Sequence, residues 1–201
     1  LDGGVSGRLL LLWAGLLHDV GKSQTRTIGQ DGRIQFLGHD QAGAAIVGRV
    51  LSGFKFSGEA TGRVRSIVGG HMRPLLLANA HKAPSRRAIF RYYRDLQNAG
   101  LDVALLSLAD HLATYGGVGD RENWGSLLAV VDALFHAYFA RHEEVVAPKR
   151  LLDGKIVMAI LEKSPGHEIG RMLGLLDEAQ AAGEISTVEE AVEFVRLNRA
   201  G

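Results

Sequence analysis

Eight histidines and no cysteine confine metal or acid-base chemistry in this 201-residue chain to imidazole nitrogen and carboxylate oxygen. The donors are grouped along the sequence. His18-Asp19 precedes Gly21 and Lys22, Gly38-His39-Asp40 follows, then Gly70-His71-Met72-Arg73-Pro74, and finally Leu108-Ala109-Asp110-His111. Nitrogen and oxygen donors without sulfur suit a divalent ion such as Mn, Ni, Co, Fe or Mg, and such an ion acidifies a bound water enough for attack on phosphorus. The chemistry implied is hydrolysis of a phosphate ester. A carboxylate at the end of an apolar helix needs a partner or a metal. For His18-Asp19 taken alone the simpler reading is that His18 donates to a backbone carbonyl and Asp19 pairs with Lys22 three residues on. Four such sites on inward faces argue for a shared role. His71 lies four after Ile67 and seven after Val64, and Asp110 four after Leu106 and seven after Val103, so both fall on apolar faces. Either His39 or His71 can also be a core histidine with its hydrogen bonds satisfied. Lys22 can hold a phosphate as a point charge and Arg73 as a two-pronged donor, and each can equally be a structural salt bridge. His81, His111, His136, His142 and His167 show no partner pattern and read as surface histidines.

The elements that must position these groups are helical. The first, Arg8 to Val20, is apolar almost all round and reads as a buried central helix stopped by Gly21. Residues Thr25 to Ile28 and Arg33 to Phe36 alternate around Gln30-Asp31-Gly32, which predicts a small exposed hairpin. A helix follows with Ala42, Ala45, Ile46 and Val50 on its inner face. Ser57 caps the next, whose inward positions are Ala60, Val64 and Ile67 or Val68. The two prolines between Met72 and Pro84 predict a loop. Ser85 caps a helix through Ala99, ended by Gly100, and Asp102 caps another to about Thr114. The glycine-rich Gly116 to Gly119 leads to a long helix from Trp124 to about Val146. Three shorter helices fill Leu151 to Gly201, the last opened by Ser186-Thr187-Val188-Glu189 with capping-box spacing. The expected fold is all-α, with a hairpin near 25–36, a helical domain over 1–147 and a helical tail over 148–201.

The ordered set of motifs carries a resemblance. His-Asp followed by Val-Gly-Lys, a later Gly-His and a helical Asp resemble the HD superfamily of metal-dependent phosphohydrolases. The succession Leu-Leu-His-Asp-Val-Gly-Lys, Asp-Gly-Arg-Ile-Gln-Phe-Leu-Gly-His-Asp, His-Met-Arg-Pro, Ser-Arg-Arg-Ala-Ile and Leu-Leu-Ser-Leu-Ala-Asp is similar to the HD-containing C-terminal part of bacterial tRNA nucleotidyltransferase/poly(A) polymerase-like proteins. The stretch from Ser164-Pro165-Gly166 to Ser186-Thr187 is similar to the end of the same proteins, so the resemblance covers nearly the whole chain. It implies His18, Asp19 and Asp110 as metal ligands, with Asp19 and Lys22 acting in catalysis. It further implies His39 and His71 as holders of a second metal or, with Lys22 and Arg73, of a substrate phosphate. The superfamily's first ligand, a histidine on a preceding helix, has no match, because no histidine precedes His18. Residue 1 is Leu, so the N-terminal edge reads as a cut.

Other classes are set aside. Nucleotidyl transfer needs a Gly-Ser loop followed by paired carboxylates, and Gly125-Ser126 is followed by no Asp-x-Asp, so no nucleotidyltransferase site is expected within these residues. Asp177-Glu178 and Glu189-Glu190 read as solvated helix faces. Twenty-three basic against 22 acidic residues give a net charge of +1, which excludes neither nucleic acid nor an anionic substrate and makes any basic patch local. The candidate patch is Arg87, Arg91 and Arg94, spaced by four and three, with Lys82 and Arg86 at its head and Tyr92 and Tyr93 available for stacking on RNA. A solvated helix face is the alternative. The longest apolar run, Leu9 to Leu17, falls far short of the ~20 residues that span a bilayer. With no cysteine, a cytoplasmic home and no membrane partner are expected. Oligomeric state leaves no mark in the sequence. The reading is a metal-dependent phosphohydrolase acting on a phosphate ester or nucleotide, with tRNA as a further partner. The alternative is a non-catalytic tRNA-binding body serving a nucleotidyltransferase head upstream.

Overall fold

Ser6 starts the first helix, its Oγ accepting the Leu9 N–H at 3.3 Å, in a computed structural model that describes residues 5–80, 82–116 and 121–199. Helix α1 (Gly7–Leu17) buries Leu10 and Ala14 completely, but Leu12 is 60 % and Leu16 75 % exposed. The expectation of a helix buried on all sides is thereby corrected. Leu10 and Ala14 lie four apart on a single stripe, and only that stripe faces neighbouring helices. A one-turn helix α2 (Lys22–Thr25) leads into the expected hairpin, β1 (Thr27–Ile28) against β2 (Ile34–Gln35), with Thr27 opposite Gln35 and Ile28 opposite Ile34. All four residues are exposed.

Helix α3 (His39–Gly53) buries His39, Gly43, Val47 and Leu51, a stripe rotated from the Ala42, Ala45, Ile46 and Val50 face expected. A glycine at the centre of the stripe hides it from a hydrophobicity count, since Gly43 contributes closeness and not apolar surface. Helix α4 (Gly58–Gly70) packs along α3 and follows expectation: Ser57 Oγ accepts the Ala60 N–H at 3.1 Å, and Ala60, Val64, Ile67 and Val68 are fully buried. The stretch read as a loop contains helix α5 (Arg73–Ala78). Pro74 stands in its first turn, where no N–H is needed for an intrahelical bond, so the proline starts the helix instead of preventing it.

Ser85 Oγ accepts the Ala88 N–H at 3.2 Å and opens α6 (Arg86–Leu96), after which a 3-10 turn (Gln97–Ala99) leads into α7 (Gly100–Thr114). Gly100 begins α7 where a stop was expected, with φ −57°, and Asp102 is no cap. Its carboxylate is buried in the first turn, where Arg63 Nε donates to it at 2.9 Å. The long helix α8 runs Arg121–Ala140 and passes into a π turn (His142–Val146). The tail holds α9 (Gly154–Leu161), α10 (His167–Ala182) and α11 (Val188–Leu197). The capping box of α11 uses Thr187 and Glu190, one residue beyond the pair expected. His81 and most of the glycine-rich stretch, Gly117 to Gly119, lie outside the described residues.

The chain separates into two compact units, Leu1–Ala83 with Leu96–Ala133, and Pro84–Asp95 with Leu134–Gly201. In the first, α1 packs against α4 and α7 over a core that includes Leu10, Val47, Leu51, Val64, Ile67 and Val103. In the second, Val157, Leu161, Met172, Leu176, Ala191 and Val195 bring α9, α10 and α11 together. Fold class is as expected: all-α with a two-stranded hairpin. Among the described residues no helix is long and apolar enough to cross a membrane.

Candidate metal centre

The site is assembled in the first unit by a backbone contact at Gly21. The chain leaves α1 at Leu17 and turns through His18-Asp19-Val20, the Val20 N–H returning to the Leu17 carbonyl at 3.1 Å. A Cβ on Gly21 would stand 2.0 Å from the His39 carbonyl oxygen and 2.5 Å from the Gly43 nitrogen. Only a residue without a side chain lets this turn lie on the first turn of α3. His39 opens α3 behind Gly38, whose φ of 73° is left-handed. His71 caps the C-terminus of α4, and Asp110 projects from the last turns of α7.

Three histidines then repeat a single arrangement. His18 Nδ1 is 2.8 Å from the Gly15 carbonyl, His39 Nδ1 2.8 Å from the Phe36 carbonyl and His71 Nδ1 2.6 Å from the Val68 carbonyl. A carbonyl only accepts, so each ring donates through Nδ1–H and presents Nε2 elsewhere. All three Nε2 atoms lie within 4.0 Å of the Asp19 carboxylate, and His18 also faces Asp110. His18 Nε2 is 3.3 Å from Asp110 Oδ1 and 3.4 Å from Asp19 Oδ2, and His39 Nε2 is 3.5 Å and His71 Nε2 4.0 Å from Asp19 Oδ1. His39 Nε2 and His71 Nε2 face each other at 3.2 Å. With both Nδ1 protons committed, two neutral rings would oppose lone pair to lone pair, a repulsion relieved by a proton or a cation between them. His18 Nε2 is buried without a well-aligned hydrogen bond. These residues therefore fit a divalent ion: Asp19, His39 and His71 each offer a ligand atom within 4.8 Å of the others, with Nε2 lone pairs oriented by carbonyl contacts as metal-bound histidines commonly are.

The electrostatics agree. Asp110 beside His18 raises that imidazole's pKa above its ordinary value, outweighing burial, and His18 in turn lowers the pKa of Asp110. His71 is lowered, chiefly because burial disfavours its charged form. Lys22 Nζ donates to Asp19 Oδ2 at 2.6 Å and lies 5.6 Å from the centre of the Phe36 ring. The simple local contacts anticipated for His18 and Asp19 thus coexist with the long-range cluster. A cavity of about 310 Å³ opens onto Asp19, Lys22, His39, His71 and Asp110. Arg73, at the start of α5, does not line it.

Two features were not marked by spacing. His111 is 4 % exposed and lines the same cavity, against the expectation of a surface histidine. It lies four after Ser107 and seven after Ala104, and those small buried residues conceal the inward face it shares. His136, His142 and His167 are exposed as expected. In the second unit Glu178 is 8 % exposed and corrects the reading of Asp177-Glu178 as a solvated pair. Arg91 Nε donates to it at 2.9 Å, with Arg87 Nε and Arg94 Nη1 at 3.4 and 3.5 Å. Asp177 accepts from Arg150 Nε at 2.8 Å. The arginines of the basic stripe are therefore occupied on α10, and Arg86 Nε donates to the Ala181 carbonyl at 2.9 Å. Lys82 is exposed in the other unit. Tyr92 and Tyr93 are buried, the Tyr93 hydroxyl donating to the Leu134 carbonyl, so neither is available for stacking as expected.

A His-Asp turn at a helix end, two further histidines and a carboxylate from a later helix are the arrangement of an HD domain. The HD domain family matches residues 6–115, and the chain belongs to it. Its relatives include an A-adding tRNA nucleotidyltransferase of Deinococcus radiodurans, 38 % identical over 190 residues, or 94 % of this chain and 41 % of that protein. A CC-adding tRNA nucleotidyltransferase of Thermus thermophilus is 38 % identical over 207 residues, 96 % of this chain and 43 % of that protein. A CC-adding enzyme of Geobacter sulfurreducens is 27 % identical over 153 residues, covering 76 % and 32 %. The chain is homologous to these tRNA nucleotidyltransferases and spans about two fifths of the length of the first two.

Proposed function

We propose that the chain is a metal-dependent phosphohydrolase domain acting on a phosphate mono- or diester, related to nucleotides or RNA, within a tRNA nucleotidyltransferase-like protein. The observation that carries this reading is the meeting of His18, Asp19, His39, His71 and Asp110, with three Nε2 atoms turned toward two carboxylates and all but His18 lining one cavity. A divalent ion bound there supplies an acidified water and polarises a phosphoryl oxygen. Asp19 is the central ligand, flanked by His18 and Asp110 on one side and by His39 and His71 on the other. Lys22, beside Asp19 and lining the same cavity, is the cation that would pair with a substrate phosphate. The Nδ1 contacts hold each ring in orientation, so the ligand atoms need little rearrangement on loading.

A second reading is favoured by the relatives themselves, which are named for adding nucleotides to tRNA: the chain is a tRNA-holding body without hydrolytic activity of its own. The Asp19→Ala variant separates the two. Under the first reading it loses Mn²⁺ binding by calorimetry and abolishes hydrolysis of a small phosphodiester, while tRNA affinity in filter binding is retained. Wild-type protein that binds Mn²⁺ and tRNA yet hydrolyses no phosphate ester supports the second.

A further inference from the structure

Beyond the charged cluster the same cavity has a second, aromatic region. Tyr115 closes α7, its N–H bonded to the His111 carbonyl at 3.1 Å, and the residue is 52 % exposed while lining the cavity. An exposed tyrosine on a helix end ordinarily samples several rotamers. Here its ring lies on the buried ring of His111, centroids 4.7 Å apart at 41°, and His111 lies in turn against Trp124, 5.3 Å apart at 32°. Three rings in series hold the outermost one as a fixed platform, at low entropy cost to whatever stacks on it. The same cavity is lined by Asn79 and Asn123, whose amide groups carry both a donor and an acceptor, and by the apolar Leu75 and Leu127. The volume of about 310 Å³ is at the lower end of small-molecule sites and suits a single nucleotide better than a larger polymer segment.

We propose that this region is a nucleobase subsite: a nucleotide binds with its phosphate toward Lys22 and the histidine-aspartate cluster and its base on the face of Tyr115, its edge within reach of Asn79 and Asn123. The inference rests on the phosphohydrolase reading for the phosphate end and names the substrate class of that site. A planar heteroaromatic ring with a hydrogen-bonding edge matches the lining, whereas a sugar phosphate without a base leaves Tyr115 and the amides unused.

The test is calorimetric titration of the Mn²⁺-supplied protein with AMP and with ribose 5-phosphate, for the wild type and for Tyr115→Ala, Tyr115→Phe and Asn79→Ala. Thermal melting confirms that each variant is folded. The wild type is expected to bind AMP more tightly than ribose 5-phosphate. Tyr115→Ala is expected to weaken AMP by roughly 5- to 150-fold, toward the ribose 5-phosphate value, with Tyr115→Phe near wild type. Equal affinity for the two ligands, no measurable AMP binding, or AMP affinity unchanged in Tyr115→Ala overturns the proposal. If AMP binding depends on Tyr115 but no phosphate ester is hydrolysed, the subsite stands and the hydrolase reading falls. If esters are hydrolysed with equal efficiency with and without a base, and Tyr115→Ala changes nothing, the subsite falls and the hydrolase reading stands.

Discussion

Replacing Gly21 by alanine probes the contact on which the whole centre depends. The added Cβ would be 2.0 Å from the His39 carbonyl oxygen and 2.5 Å from the Gly43 nitrogen, where real Cβ atoms do not approach below 3.0 Å. Both obstacles are backbone atoms within α3, so no rotamer change relieves the clash. The His18-Asp19 turn and α3 must separate by about 1 Å. His39 Nε2 now stands 3.5 Å from Asp19 Oδ1, and that separation carries it out of ion-pairing range. Overpacking of this kind costs ~1–3 kcal/mol, and a backbone clash belongs at the upper end. For a chain of this size ~3 kcal/mol lowers Tm by roughly 6–12 °C. A displacement of about 1 Å among reacting groups also reduces turnover on the order of 100-fold. Differential scanning calorimetry with and without Mn²⁺ measures the first effect, and ester hydrolysis the second. Gly62→Ala is the control: Gly62 is an exposed interior position of α4 where a Cβ meets nothing within 4 Å, and the change is expected to stabilise by ~0.5–1 kcal/mol. A Gly21→Ala protein that melts with the wild type and binds Mn²⁺ equally well refutes the argument.

Metal binding needs neutral imidazole, and Asp110 holds the His18 pKa above its ordinary 6.5, so Mn²⁺ affinity is expected to decline on acidification before pH 6.5 is reached. Titrations between about pH 7.5 and 6 check this, and a constant affinity across that window contradicts it. In the second unit Arg91, foremost among its partners, depresses the Glu178 pKa below 4.5, so the carboxylate contributes stability above that pH and loses it as pH falls through the lowered value. Glu178→Gln is expected to cost about 1.5–3 kcal/mol at neutral pH in denaturant unfolding and to flatten the acid limb of the stability curve. An unchanged acid limb would mean that the arginines contribute nothing through Glu178.

Local pattern alone yielded the helical class, the exposed hairpin, the Ser57 and Ser85 caps and the inward face of α4, because each depends on side chains within a turn or two of one another. The donor residues were also legible: His18, Asp19, His39, His71 and Asp110 stand out as polar groups at element ends or on apolar faces. Tertiary structure decided what such spacing does not encode. Gly21 and Gly43 determine how closely α3 approaches the His-Asp turn, and glycine carries no signal of the backbone it will touch. His111 acquires its buried role from Trp124 and from small residues that dilute the apolar period of α7. The arginine stripe of α6 shows the same division most clearly. Its spacing specifies one face of one helix, but whether that face meets solvent, RNA or a carboxylate depends on Glu178, 87 residues beyond Arg91 and brought beside it only when α6 and α10 pack.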